Sequence, residues 1–180
     1  MFQILIFDGK LRFALLASLR SAIFSDSKKH NKLVNLPAGV KIVFIKIDFL
    51  ASKCQDGAEV LGLECNIRSR ESVKEMISST ISHFGRVDGL VNNGGGQFHS
   101  PAENISANGF HAVVETNLYG TYHCMMEAFE QHMKENGGKI VNIVTINRMG
   151  MAGMAHSGAA RAGVKNLSMS LGELMFLTFL

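Results

Sequence analysis

The chain is short of cysteine, of long apolar runs and of concentrated charge, and each shortage removes a class of function. Its 180 residues hold three cysteines, Cys54, Cys65 and Cys124, with no metal-ligand spacing among them. An odd count without a disulfide pattern fits a reducing compartment and buried free thiols, and no metal site is expected. The apolar run Phe13 to Leu19 lies between Arg12 and Arg20 and is too short to span a bilayer, as is the apolar tail Leu174 to Leu180. Asp8 interrupts the leading segment and no small-x-small cleavage site is clear, which argues against a signal or transit peptide. The formal charge is +3, with Lys and Arg scattered; the densest basic run, Lys28-Lys29-His30, reads as a solvated loop. No internal repeat or low-complexity tract appears. The expectation is a soluble protein with no membrane span and no nucleic-acid partner.

What remains is ordinary globular material: 47% hydrophobic and 18% charged residues, enough for one domain with a real core. Val40 to Asp48 has β-branched density and near-alternation, so it reads as a strand, and Glu59 to Glu64 as a shorter one. Arg70 to His83 places Val73, Met76, Ile77 and Ile81 at helical spacing, and Gly85 stops it. Val87 to Val91 is a strand that runs into Asn92-Asn93-Gly94-Gly95-Gly96. Asn108 to Lys134 is the longest helical pattern, ended by Gly137-Gly138; Lys139 to Val144 is a strand and Ser157 to Leu171 a helix. This alternation implies crossover units and a parallel sheet. The N-terminal part is less regular. Only Phe49 to Ala58 separate the strands at Val40 and Glu59, and a crossover takes at least about 10–12 residues, so either those two strands pair antiparallel or a helix is missing. Phe2 to Phe7 could supply a first strand and Leu11 to Phe24 its helix.

In open α/β sheets ligands sit beyond the carboxyl ends of the strands. Three loops leave such ends: Asn66-Ile67-Arg68, Asn92 to Gly96 and Thr145-Ile146-Asn147. Consecutive glycines let backbone approach a flat ligand with no Cβ in the way; a plain tight turn is the alternative. Asn117 falls four residues after Val113 and three after Val114, on the apolar face of its helix. A buried amide there must find partners, whether in a site or simply in the core.

The order Cys65-Asn66-Ile67-Arg68, Asn92-Asn93-Gly94-Gly95-Gly96, Glu115-Thr116-Asn117-Leu118 and His156-Ser157-Gly158-Ala159-Ala160-Arg161-Ala162-Gly163-Val164 resembles the short-chain dehydrogenase/reductase superfamily. Within it, Asn-Asn-Gly-Gly-Gly-Gln-Phe and His-Ser-Gly-Ala-Ala-Arg-Ala-Gly-Val are similar to peroxisomal trans-2-enoyl-CoA reductase. The resemblance implies a doubly wound parallel α/β sheet of Rossmann type, truncated at the C-terminus and irregular at the N-terminus. It forms one partial domain over residues 1–180, with a family-like core at 59–171 and divergent residues 1–58 and 172–180. It also implies NADPH-dependent reduction of trans-2-enoyl-CoA to saturated acyl-CoA in fatty acid metabolism. By matching positions, Asn66, Asn93, Gly94, Gly95 and Arg161 would line the cofactor, while Asn117, Thr145 and Lys165 would carry the catalytic network.

The departures from the family are specific. Most members carry Tyr-x-x-x-Lys ahead of Ala-Gly-Val; here that spacing gives Ser157 and Arg161. Serine has no useful acidity near neutral pH, and arginine stays charged and relays no proton. The enoyl-CoA reductase shares Ser-x-x-x-Arg and has its assigned tyrosine directly after Ala-Gly-Val, where this chain has Lys165. The Thr-Gly-x-x-x-Gly-x-Gly turn that presents N–H groups to a pyrophosphate is absent from the sequence, and Asp8-Gly9 is its only remnant-like candidate. After Ser170-Leu171 the family continues where this chain turns to Gly172-Glu173-Leu174-Met175-Phe176. The final Thr178-Phe179-Leu180 is no peroxisomal address, so peroxisomal residence rests on resemblance, with the cytoplasm otherwise. Two alternatives therefore stand beside the enoyl-CoA reductase. One, from a different class, is a catalytically silent relative that pairs with a full-length paralogue or only binds ligand; the other, within the enzyme class, is a 2,4-dienoyl-CoA or 3-oxoacyl reductase. The expected partners are an acyl-CoA substrate and either a second copy, as a homo-oligomer, or a full-length paralogue.

Overall fold

A computed structural model describes residues 4–8, 41–44, 59–145 and 149–176 of the chain. Five strands form one sheet: β1 (Ile4–Asp8), β2 (Lys41–Phe44), β3 (Glu59–Gly62), β4 (Gly89–Asn92) and β5 (Lys139–Asn142), in the order β3-β2-β1-β4-β5. β2 pairs parallel with β3, in register Lys41 to Glu59, and β4 pairs parallel with β5, in register Asn92 to Asn142. The antiparallel alternative for the two strands at Val40 and Glu59 is thereby excluded. β1 is antiparallel to both β2 and β4, so β2 to β5 share one direction and β1 runs against them. The first strand expected at Phe2 to Phe7 is present, shifted to Ile4–Asp8, but reversed. Alternation of side chains does not encode strand direction; pairing partners do. The helix expected at Leu11 to Phe24 lies outside the described residues.

Helix α1 (Arg70–Phe84) follows β3. Ser69 caps it by accepting the Ser72 N–H at 3.3 Å, and Glu71 in the first turn complements the helix dipole. Val73, Met76, Ile77, Thr80 and Phe84 form the buried stripe at spacings of three and four. Gly85 ends the helix at φ 81°, a left-handed conformation that costs glycine little, and its N–H closes on Ile81 O at 2.7 Å.

The long helix α2 comprises five consecutive segments, Ala107–Val114, Glu115–Tyr119, Gly120–Ala128, Phe129–Met133 and Lys134–Asn136; the second and fourth are π-helical. Ser106 accepts the Gly109 N–H at 3.1 Å at its start, and Gly137 stands at φ 72° beyond its end. A π segment widens the coil by one residue and loosens the carbonyl ladder, and such widenings cluster at sites of function. Here Thr116 Oγ1 donates to Ala112 O at 2.9 Å and Thr121 Oγ1 to Asn117 O at 2.9 Å, so hydroxyls supplement the ladder on either side of Asn117.

Helix α3 (Ala155–Phe176) follows β5. α1 packs along α2, and α2 along α3. Ile67, Val73, Met76, Ile77, Val87, Leu90, Cys124, Ala128 and Met133 form the apolar core between α1, α2 and the sheet. Cys65 and Cys124 are free and buried, as expected, and burial pushes both thiols up from their ordinary value. Among the described residues no helix is long and apolar enough to cross a membrane, and no cluster of metal-ligating side chains occurs.

Candidate functional site at the carboxyl rim of the sheet

β3, β4 and β5 end at one rim, and the chain leaves β4 as Asn93-Gly94-Gly95-Gly96. Asn117, from the π-helical segment of α2, is fully buried and reaches this bend. Gly96 N–H donates to Asn117 Oδ1 at 2.8 Å, and Asn117 Nδ2 donates to Gly96 O at 3.0 Å. One side-chain amide thus pairs with both backbone polar groups of the Gly96 residue, which fixes the bend without a regular turn.

Arg161 comes from α3 on the other side. Its Nη2 donates to Gly94 O at 3.1 Å and its Nη1 to Ile143 O at 3.2 Å, so a single guanidinium ties the ends of β4 and β5 together. Burial lowers its pKa from the ordinary value, yet arginine remains cationic near neutrality. The result is a positive charge held at the rim beside the glycine bend. Gly95 lies between the two anchors: a Cβ there would collide with Arg161 Nη2 and stand 2.8 Å from Asn117 Oδ1. Gly96 is open, with nothing within 4 Å of an added Cβ. The third consecutive glycine therefore leaves room for a flat group against the backbone.

Beneath the rim, Asn92 Nδ2 donates to Asn142 Oδ1 at 2.8 Å, and Asn142 Nδ2 donates to Ser168 Oγ at 2.8 Å. Ser168 in turn donates to Val164 O at 2.6 Å. This relay joins β4, β5 and α3 and keeps the rim in register. Sequence reasoning singled out none of it as a network, because its members are far apart in the chain; two asparagines each ending a strand were the only available signal.

The sequence-expected residues divide into those the fold gathers and those it does not. Asn117, Gly94, Gly95 and Arg161 meet at one point, and Asn93 lies next to them, half-buried. Thr145 is exposed just past β5, two residues after the carbonyl that Arg161 holds. Lys165 is one helical turn beyond Arg161 and exposed, and its side chain makes no hydrogen bond or ion pair to a described residue. Asn66 stands apart on the β3 loop: its Oδ1 accepts the Arg68 N–H at 3.3 Å and its carbonyl accepts the Ser69 N–H at 2.9 Å. It shapes the entry to α1. Asp8 registers with Lys41 and Phe7 with Gly89, the amino ends of β2 and β4. The strand end leading to Gly9 is therefore at the opposite rim from the glycine bend.

The sequence profile described as short chain dehydrogenase matches residues 36–175, and the chain belongs to that family. The probable 2,4-dienoyl-CoA reductase of Bacillus subtilis is 36% identical over 115 residues, 63% of this chain and 45% of that protein. The peroxisomal 2,4-dienoyl-CoA reductase of Danio rerio is 36% identical over 107 residues, 59% of this chain and 36% of that protein. The chain thus spans less than half the length of these two relatives. Among solved structures, the citronellol catabolism dehydrogenase of Pseudomonas aeruginosa PAO1 superposes with TM-score 0.65 at 38% identity, covering 68% of this chain and 50% of that one. An actinorhodin polyketide ketoreductase with NADPH superposes with TM-score 0.63 at 30% identity, covering 66% and 47%. The Rossmann-like doubly wound α/β fold is shared with them, with β1 reversed as its N-terminal irregularity.

Proposed function

We propose that the chain is the nucleotide-binding part of a reductase of acyl thioesters, and that its reaction is NADPH-dependent reduction of a trans-2-enoyl-CoA to the saturated acyl-CoA. The observation that carries this reading is the convergence of Asn117, Arg161 and three glycines on one bend at the carboxyl rim, where α/β sheets hold their ligands. The open backbone at Gly96 fits the flat nicotinamide and its ribose, and Asn93, Gly94 and Gly95 would border them. Asn66 would meet the adenine, its amide able both to donate and to accept. The described residues include no cradle for the pyrophosphate.

NADPH, when bound, supplies a hydride to the β carbon of the enoyl thioester. The chain's own task is to stabilise the developing enolate with placed donors and to deliver a proton to the α carbon. Arg161 holds positive charge at the rim, Asn117 keeps the bend rigid, and the Thr145 hydroxyl stands at the end of β5 where a donor is needed. The Lys165 ammonium is the proton source. A thioester of coenzyme A is the partner that these relatives' names support, and the peroxisome is the compartment that the Danio rerio relative's name supports, although a bacterial relative shares the same similarity.

A second reading, a silent relative that binds nucleotide without turnover, is favoured by one observation: Nη1 and Nη2 of Arg161 already donate to backbone carbonyls at the rim. One assay separates the two. Purified chain given NADPH and trans-2-dodecenoyl-CoA should oxidise the nucleotide, and Lys165→Met should lose that turnover while still binding NADPH. Saturable NADPH binding with no oxidation above blank would establish the silent reading instead.

A further inference from the structure

His156 is fully buried, and neither of its ring nitrogens has a hydrogen-bond partner among the described residues. It is the second residue of α3. Phe98, two residues beyond Gly96, meets its ring edge-on at 4.4 Å between centroids, and Phe110 of α2 lies tilted at 6.5 Å. Both phenylalanines are exposed on their outer sides, by 43% and 41%. The Phe98 loop is clasped over this ring by Ser100 N–H donating to Gly153 O at 2.9 Å, with the His99 ring against Gly153.

A buried imidazole with no partner is destabilising, and a phenyl edge offsets little of it. Neutral imidazole carries one donor and one acceptor, so two capacities are left unspent beside an apolar wall that faces solvent. No residue assigned to the rim accounts for this. We propose that His156, Phe98 and Phe110 form an acyl-thioester subsite: the imidazole N–H donates to the thioester carbonyl oxygen, and the two phenyl faces take the apolar chain. The inference rests on the reductase reading above and deepens it by naming where the acyl group lies. Entry requires Phe98 to swing outward, which its exposure permits, and the carbonyl then supplies the bond the imidazole lacks. This places the acyl group next to Gly96, on the same rim as the nucleotide.

The test uses the full chain, two ligands and two variants. Calorimetry compares trans-2-dodecenoyl-CoA with the dodecyl thioether of CoA, which has the chain but no carbonyl. Wild type should bind the thioester about tenfold more tightly than the thioether, the size of one buried hydrogen bond. His156→Phe should erase that preference while leaving thioether affinity and NADPH titration unchanged; His156→Gln, which keeps a donor, should restore part of it. Should His156→Phe fail to fold, histidine ring nitrogen resonances of the wild type give the same answer, one ring shifting with thioester and not with thioether. A His156→Phe protein that keeps the full preference, or that loses both ligands alike, overturns the subsite. NADPH binding without any acyl-CoA binding also overturns it, and leaves the nucleotide half of the reading standing; loss of NADPH binding in wild type strikes that half alone.

Discussion

Asn117 and Gly96 exchange two hydrogen bonds across 21 residues of sequence, one from the glycine N–H at 2.8 Å and one from the side-chain amide at 3.0 Å. The pair joins the middle of a π-helical segment to the last glycine of the loop after β4. Asn117→Ala should therefore leave a donor and an acceptor unpaired at a part-buried position, a loss of about 1–3 kcal/mol. Urea denaturation measures it. Asn117→Asp should not rescue, because a carboxylate accepts from the Gly96 N–H but faces the Gly96 carbonyl with like charge.

Gly95 and Gly96 are adjacent and predict opposite outcomes. An alanine methyl at 95 must displace Arg161 and Asn117 together, so Gly95→Ala should destabilise by about 1–3 kcal/mol and abolish NADPH binding. Gly96→Ala meets nothing within 4 Å, so stability should hold, and only the ligand's close approach should suffer. Thermal melts and nucleotide titration of the two variants, side by side, check the contrast.

Arg161 bridges Gly94 O and Ile143 O from two different nitrogens. An ammonium is a point donor and cannot span both carbonyls. Arg161→Lys should lower the melting temperature, and Arg161→Met should lower it further by leaving both carbonyls without a partner. A melt unchanged in Arg161→Met would show that the strand ends need no clip.

Acid stability should depend on Glu127. Burial pushes its carboxyl up, but the bonds from Arg70 at 2.6 Å and Gln131 at 3.0 Å outweigh that, and the net shift is downward from the ordinary 4.5. A depressed folded pKa stabilises fully above the unfolded value, and the contribution is lost as pH falls through the folded one. The stability gap between wild type and Glu127→Gln should therefore be constant near neutrality and shrink below pH 4.5. Denaturant titrations across that range read it directly.

Local chemistry was legible from sequence, and long-range pairing was not. Gly85, Gly137 and the apolar stripe Val73, Met76 and Ile77 announce where α1 and α2 stop and what α1 buries, because caps and periodicity are short-range signals. The placement of Asn117 on its helix's apolar face already required a partner. Which partner, the Gly96 peptide, depends on how α2 crosses β4, and no spacing encodes that. In sequence Arg161 is a cofactor-lining residue by resemblance alone; only the fold shows its donors turned onto the carbonyls at the ends of β4 and β5. The direction of β1 was equally hidden, since the apolar run Ile4 to Phe7 reads the same whether it runs up or down the sheet.

On the proposed reading, Asn117, Arg161 and the triple glycine build a nucleotide cleft in this chain. Titrating the folded protein with NADPH, followed by nucleotide fluorescence or calorimetry, tests it most directly. Saturable binding that disappears in Gly95→Ala is the predicted result; a wild-type chain shown by circular dichroism to be folded, yet giving no signal at any NADPH concentration, contradicts it.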